Sequence, residues 1–297
     1  MEELKHDNWA GTTYGNSWMH KWLIRMLIVI DVRILYAFTY LFIVPPTMVI
    51  NRKASKAIYR FYREGFGYGR LKSCVMSYKN HCFFSQVVID KFAMYAGKKF
   101  DIKIIGFDNF KNLESQPGGF LQLSSHIGNY EVAGYSLISD KKRFNALVFG
   151  GEKESVMENR RKMFDHTNIR MIPMKPDMEY LFTLDNAINN GEIISMPADR
   201  VHGSQKAYSL NFLGRNACFP QGPFILSAMK EIPVLFVVVM KTKSTEYTIH
   251  VEQLDSPKDM TPRKRAEMLA EDYVSRLEKM VRKYPEQWYN YFDFWKI

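Results

Sequence analysis

The sequence predicts an α/β protein, a mostly parallel or mixed sheet flanked by helices, with an apolar and then a basic helical region ahead of it. Two observations carry this. From about residue 100 onward, short runs rich in β-branched and aromatic residues alternate with stretches of helical period, the rhythm of βα units. Before residue 100 the period is helical, and polarity changes once, from apolar to strongly basic. With 297 residues, 46% of them hydrophobic, the chain has ample material for a packed core.

Taken in order, residues 1–51 form an N-terminal segment whose apolar part is Trp22 to Ile50. Residues 1–17 are polar and hold no hydrophobic region of a secretion signal, so the N-terminus is expected to stay on the mature protein. A transmembrane helix needs about 20 apolar residues. Here Arg25, Asp31 and Arg33 interrupt the stretch, and Pro45-Pro46 is expected to break it. The segment therefore spans once or lies in the membrane interface, while a buried helix hairpin beside a solvated basic face fits the same pattern.

Residues 52–99 read as a basic helical region. Helical spacing runs through 54–64 and 71–96, and GFGYG between them is a helix–helix connection, because a dinucleotide loop should follow a strand. Of the net charge of +10, residues 52–111 supply +9, from 13 basic and 4 acidic side chains. A basic block directly after an apolar one suits an anionic membrane surface on the cytoplasmic side. A nucleic-acid partner is disfavoured because no recognition module accompanies the charge.

Residues 100–297 read as one domain. FDIKII (100–105), FLQLSS (120–125), NALVFG (145–150), NIRMIP (168–173), EIISMP (192–197), IPVLFVVVM (232–240) and EYTIHVE (246–252) are expected strands, the last two close enough in sequence to pair antiparallel. Segments 128–138, 152–166, 177–190 and 222–230 are expected helices. Thr261-Pro262 opens a further helix as N-cap and first residue, and Ala266, Leu269, Ala270, Tyr273, Val274, Leu277, Met280 and Val281 form its apolar stripe. The chain ends in YPEQWYNYFDFWKI, whose aromatics line either a core edge or a lipid-facing rim. Cys74, Cys82 and Cys218 show no CxxC spacing and are expected to be reduced, buried thiols.

The chemistry concentrates in LQLSSHIGNYEVAGYSL (121–137). On one helix, His126 and Glu131 would not share a face, but a strand ending at Ser124-Ser125, a turn at Ile127-Gly128-Asn129 and a helix beginning near Glu131 let them meet. The imidazole then sits at a strand's carboxyl end, and Glu131 can bond one ring nitrogen while the other takes a proton. A structural histidine and a glutamate placed by the helix dipole account for the same spacing. No GxSxG elbow, nearby cysteine or HExxH is present, and His250 with Glu252 lacks a third metal ligand, so the nucleophile is expected to come from the substrate.

HIGNYE (126–131) resembles the HxxxxE/D motif of the lysophospholipid acyltransferase superfamily, and in particular its lipid A biosynthesis acyltransferase branch. YREGFGYGRLKS (62–73), VVIDKFAMYAG (87–97), SSHIGNYEVAG (124–134), MPADRVHGSQ (196–205), NFLGRNACFPQGPFILSA (211–228) and YPEQWYNYFDFW (284–295) extend the resemblance collinearly over almost the whole chain. PADRVHGSQ replaces the FPEGTRS-like phosphate block of glycerol-phosphate acyltransferases, which disfavours lysophosphatidate as acceptor.

The resemblance implies a membrane-associated enzyme that needs no cofactor or metal. It would move an acyl chain from acyl-carrier protein or acyl-CoA to a hydroxyl of a membrane lipid, at the cytoplasmic face of an inner membrane. The acceptor would be a lipid A precursor or an amino-acid-containing lipid. His126 would be the general base and Glu131 its orienting carboxylate. Asn129, Asp199, Arg200, Arg215 and Gly222 would contact substrate, Arg200 as a partner for phosphate or oxyanion and Gly222 through amides at a helix start. Arg200 in an internal salt bridge, and Asn129 merely making the turn, are the plain alternatives. A noncatalytic lipid-binding protein and an acyl ester or thioester hydrolase are the other function classes compatible with the same residues.

Overall fold

The computed structural model describes residues 16–151, 154–165, 167–174, 179–201, 206–255, 257 and 259–295. The polar residues 1–15, the His202–Gln205 part of the MPADRVHGSQ stretch and the first residues of two expected helices, 152–153 and 177–178, lie outside the described residues.

Seven strands form the central sheet, in the order β1-β9-β8-β2-β5-β3-β4. They are β1 (Asp101–Ile105), β2 (Phe120–Ser124), β3 (Phe144–Phe149), β4 (Ile169–Met174), β5 (Ile193–Pro197), β8 (Val234–Lys243) and β9 (Glu246–Gln253). All seven coincide with runs expected from the sequence. Every neighbouring pair is parallel except β8 and β9, which form an antiparallel hairpin. The reason is length: two residues connect β8 to β9, whereas a parallel return needs a crossover of a dozen or more.

The helices of this region are α6 (Phe107–Ser115), α7 (Tyr130–Ser136), α8 (Glu154–Phe164), α9 (Tyr180–Asn189), α10 (Gly222–Lys230) and α11 (Pro262–Lys283). Strand residues alternate between two cores. Leu121, Leu123, Ile194, Met196, Phe236 and Val238 face one that includes the stripe of α11, all eight of whose expected residues are buried. Phe120, Ile193, Leu235, Val237 and Val239 face the other, with Phe110 and Leu113 of α6 and Val132 of α7. Thr261 caps α11 as expected, its hydroxyl accepting from Lys264 N at 3.4 Å.

Two elements were not anticipated in the sequence. One is α6. The other is an antiparallel hairpin, β6 (Ala207–Phe212) with β7 (Arg215–Pro220), turned by Leu213 at φ 55° and Gly214 at φ 81°. A turn with two positive φ values normally advertises itself as Asn-Gly. Leucine tolerates the conformation here because its side chain is buried and its amide donates to Glu278 Oε2 at 2.7 Å.

Ahead of the sheet come α1 (Ser17–Val29), α2 (Val32–Phe38), a π-helical turn (Thr39–Ile43), α3 (Val44–Ile50), α4 (Arg52–Glu64) and α5 (Arg70–Tyr95). Pro45-Pro46 does not break the apolar helix, contrary to expectation. The π turn, in which Val44 N bonds Thr39 O, widens the coil just before the prolines and seats them in the first turn of α3. Helical structure therefore runs without a gap from Val32 to Ile50. The buried-hairpin alternative fails as well, since only 11% of this helix is buried and Ile34, Phe38, Leu41, Phe42, Val49 and Ile50 are exposed. Leu27, Val32 and Tyr36 do pack, against Ile89, Phe92 and Ala93 of α5.

The C-terminal aromatics belong to a core edge: Trp288, Tyr289 and Phe294 are buried, and Phe212 meets both the Trp288 and the Phe294 rings. Of the three thiols, all free, only Cys82 is buried; Cys74 is exposed and Cys218 half-buried. Cys74 lies on the outward side of α5 beside exposed Val75, which periodicity alone did not separate from the packed side.

Candidate active site

The parallel register of β2 on β5 builds the site. Ser124 pairs with Pro197, so each chain leaves the sheet at the same level, and the residue two beyond each strand end is His126 in one and Asp199 in the other. Ala198 N donates to Ser124 O at 3.0 Å, and Tyr273 Oη, from α11, donates to the same carbonyl at 2.8 Å.

The turn after β2 is then clamped from two sides. Its Asn129 N donates to Val239 O of β8 at 2.8 Å. On the other side, Gly128 N donates to Gln287 O at 2.8 Å and Tyr289 N donates to His126 O at 3.0 Å. This C-terminal segment is itself held by Asn80 of α5, which donates to Glu286 O at 3.1 Å and Trp288 O at 2.7 Å. Gly128 has φ +61°, and a Cβ there would stand 1.9 Å from Val239 O, so the position admits glycine alone.

In this frame His126 is gripped twice by one carboxylate. Its amide donates to Asp199 Oδ2 at 2.9 Å, and its ring Nδ1 lies 2.8 Å from Asp199 Oδ1. The Asp199 side chain is fully buried whereas that of His126 keeps 23% exposure, so the imidazole opens outward and its partner is sealed behind it. A carboxylate facing Nδ1 makes that nitrogen the N–H donor and leaves the lone pair on Nε2. Nε2 makes no hydrogen bond among the described residues.

Burial, and then the Arg200 charge, push the His126 pKa below the usual imidazole value, against the opposing pull of Asp199. For Asp199, burial works upward but is outweighed by the imidazole and its hydrogen bonds, with Arg200 adding to them, and the carboxyl lies below its ordinary value. The pair therefore rests at neutral pH as imidazole and carboxylate.

Glu131 does not make the ring contact expected of it. It begins α7 on the side facing α5 and α8, where Lys91 Nζ is 3.3 Å from Oε1 and Arg160 bonds the same oxygen. Burial raises its pKa, but Arg160 and Lys91 prevail and hold it at about 2. The bend that freed His126 from the helix also turned it toward the neighbouring strand end, away from the first turn of α7.

The other expected contacts divide. Arg200 follows Asp199 and donates through Nη2 to Tyr289 O at 2.5 Å, with its guanidinium 5.6 Å from the Phe292 ring centre. It thus belongs to the His126 cluster, where it bonds the Tyr289 backbone and faces an aromatic ring. Asn129 is buried and donates to Tyr247 Oη at 3.2 Å, a turn-making role pointed inward. Gly222 is the first residue of α10, followed by Pro223, and a Cβ on it would meet nothing within 4 Å. Arg215 sits on β7, paired with Glu64 and 5.0 Å from the Trp295 ring, with no partner in the His126 cluster.

Lys91, Arg160 and Tyr289 were not singled out in the sequence. The placement of His126 and Asp199 just past two expected strand ends was the signal there that pointed to their meeting. Among the described residues no three His, Cys, Asp or Glu side chains are grouped to hold a metal ion.

No curated protein matches the chain significantly. The model of the bacterial lipid A biosynthesis acyltransferase family matches residues 88–296, from the second half of α5 through the C-terminal aromatics, and so includes His126, Glu131 and Asp199. With that match covering well over half of its length and the site inside it, the chain belongs to the bacterial lipid A biosynthesis acyltransferase family.

Proposed function

We propose that this protein transfers a fatty acyl chain from a thioester, on acyl-carrier protein or coenzyme A, to a hydroxyl of a membrane lipid. The acceptor is a lipid A precursor or an amino-acid-containing lipid. The observation that carries the reading is the His126–Asp199 pair, with Nδ1 bonded at 2.8 Å and Nε2 left for substrate. Asp199 keeps the Nδ1 proton in place and stabilises the imidazolium. Nε2 takes the proton of the lipid hydroxyl, whose oxygen attacks the thioester carbonyl. The C–S bond then breaks, and the departing thiolate receives the proton from the imidazolium. This scheme calls on protein groups alone and needs no resident metal or cofactor.

Arg200, beside Asp199, contributes positive charge where the carbonyl oxygen becomes anionic. The start of α10 at Gly222 would be a second source of such stabilisation. Glu131 enters as the anchor of α7 on Lys91 and Arg160, keeping the helix that follows the turn in place.

Exposed apolar side chains on Val32–Ile50, the one described helix long and apolar enough to cross a membrane, support binding to lipid. Arg52, Lys53, Lys56, Arg60, Arg63, Arg70, Lys72 and Lys79, all exposed on α4 and α5, suit an anionic inner-membrane leaflet facing the cytoplasm, or an acidic carrier protein.

The test uses the full-length protein in mixed micelles with a labelled acyl thioester on either carrier and candidate lipid acceptors, with products read by mass spectrometry. His126→Ala is expected to remain folded and lose acyl transfer. Undiminished transfer by that variant removes the base, and release of free acid that ignores the acceptor turns the reading to hydrolysis.

A further inference from the structure

Behind the His126 turn lies a second buried polar cluster. Asp90 of α5 is fully buried and accepts hydrogen bonds from Tyr36 Oη of α2, Tyr247 Oη of β9 and Lys241 Nζ of β8. Lys241 Nζ also donates to Tyr36 Oη at 2.8 Å and lies 4.5 Å and 5.2 Å from the Tyr36 and Tyr247 ring centres. A buried ion pair seldom stabilises a core more than well-packed apolar residues would, but its hydrogen bonds fix one arrangement of the elements that supply them.

Two hydrogen-bonded routes lead from this cluster to the turn. Along the first, Tyr247 Oη accepts from Asn129 Nδ2 at 3.2 Å. Along the second, the backbone of Lys241 is clasped by the Gln287 side chain, Lys241 N donating to Oε1 and Nε2 donating to Lys241 O, each at 2.9 Å. Gln287 O in turn accepts from Gly128 N at 2.8 Å. The routes converge on Gly128 and Asn129, the residues that set the angle at which His126 leaves the sheet. At the other end stands Tyr36, on the helix whose outer side exposes Ile34, Phe38, Leu41 and Phe42.

We infer that Tyr36, Asp90, Lys241 and Tyr247 are positioning residues that join the N-terminal apolar helix to the His126 turn, so that the seating of that helix sets the geometry of the base. The inference rests on the reading of His126 as general base. It separates two tasks for the apolar helix, holding lipid and holding the turn, which have different kinetic signatures.

The decisive variants delete one hydroxyl each, Tyr36→Phe and Tyr247→Phe, and keep ring packing and the Asp90–Lys241 pair. Acyl-transfer kinetics in mixed micelles are read together with amide hydrogen exchange of residues 126–131, with α11 as internal reference. The expected result is a kcat lowered on the order of 10- to 100-fold with KM within about twofold, and faster exchange at Gly128 and Asn129 but not in α11. Unchanged kcat and unchanged exchange in both variants overturn the inference, and so does a rise in KM alone. Should Asp90→Asn fail to fold, the two phenylalanine variants still decide the matter. If His126→Ala proves fully active, the base reading falls, and the exchange data alone then judge whether the cluster holds the turn.

Discussion

Two carboxylates, Asp199 fully buried and Glu131 partly so, flank the His126 turn, and they are held by opposite kinds of partner. Asp199 faces a titratable imidazole and a backbone amide, and its charge is matched to a proton that can move. Glu131 faces two permanent cations, Arg160 and Lys91, and its charge is locked. A carboxylate that orients a base must respond to the imidazolium when it forms, whereas one neutralised twice over can only pin helices together. The partners, more than burial or sequence distance, tell the two roles apart.

The comparison is most exposed at Asp199. Asp199→Asn is expected to lower kcat on the order of 10³- to 10⁴-fold by releasing the Nδ1 tautomer, with thermal stability little changed. A loss of folding with no specific loss of rate would make Asp199 a second structural anchor. Glu131→Gln should behave in the opposite way, leaving two buried cations without their carboxylate and costing roughly 3–5 kcal/mol in denaturant titration. If that variant is stable but inactive, Glu131 has a chemical role and the division collapses.

Acid sharpens the contrast further. The Glu131 pKa is held at about 2, against 4.5 as the ordinary value, so its stabilisation is fully present above pH 4.5 and fades as pH falls through about 2. The amount is on the order of 3 kcal/mol. Activity should fall on a limb of its own, because it follows protonation of His126 and not of Glu131. Below the His126 pKa the rate drops, and since that pKa lies under the usual imidazole value, the rate stays flat through neutrality. A pH–rate profile alongside a pH–stability profile measures both, and coincident acid limbs would contradict the assignment.

The smallest effect is expected one residue along α8. Arg161 pairs with Glu154 at 2.9 Å, but the two side chains are 58% and 74% exposed. Arg161→Ala should cost no more than about 1 kcal/mol, where the adjacent Arg160→Ala should cost several times that.

Much of this architecture was legible in the residues themselves. The seven central strands, the capped stripe of α11, the helical pair α4–α5 and the exposed basic block follow from periodicity, which records what each element buries. Candidate residues at the site were legible too, because HIGN follows a strand and Asp199 follows another. What local pattern could not supply was the pairing of β2 with β5. Only that register brings residues 126 and 199 to one level, and only the packing of α7 on α5 and α8 takes Glu131 elsewhere. The same limit explains Leu213 in a left-handed turn, paired prolines inside a continuous helix and a C-terminal aromatic run folded against the core. At Leu213 and in the aromatic run the local preference was overruled by contacts with residues distant in the chain, and at the prolines by the π turn just before them. Most elements, and the chemical groups they carry, could be read from the residues, since these depend on near neighbours. Tertiary structure alone decided which carboxylate serves the histidine, because a hydrogen bond needs position to within a fraction of an ångström and only strand register and packing set it.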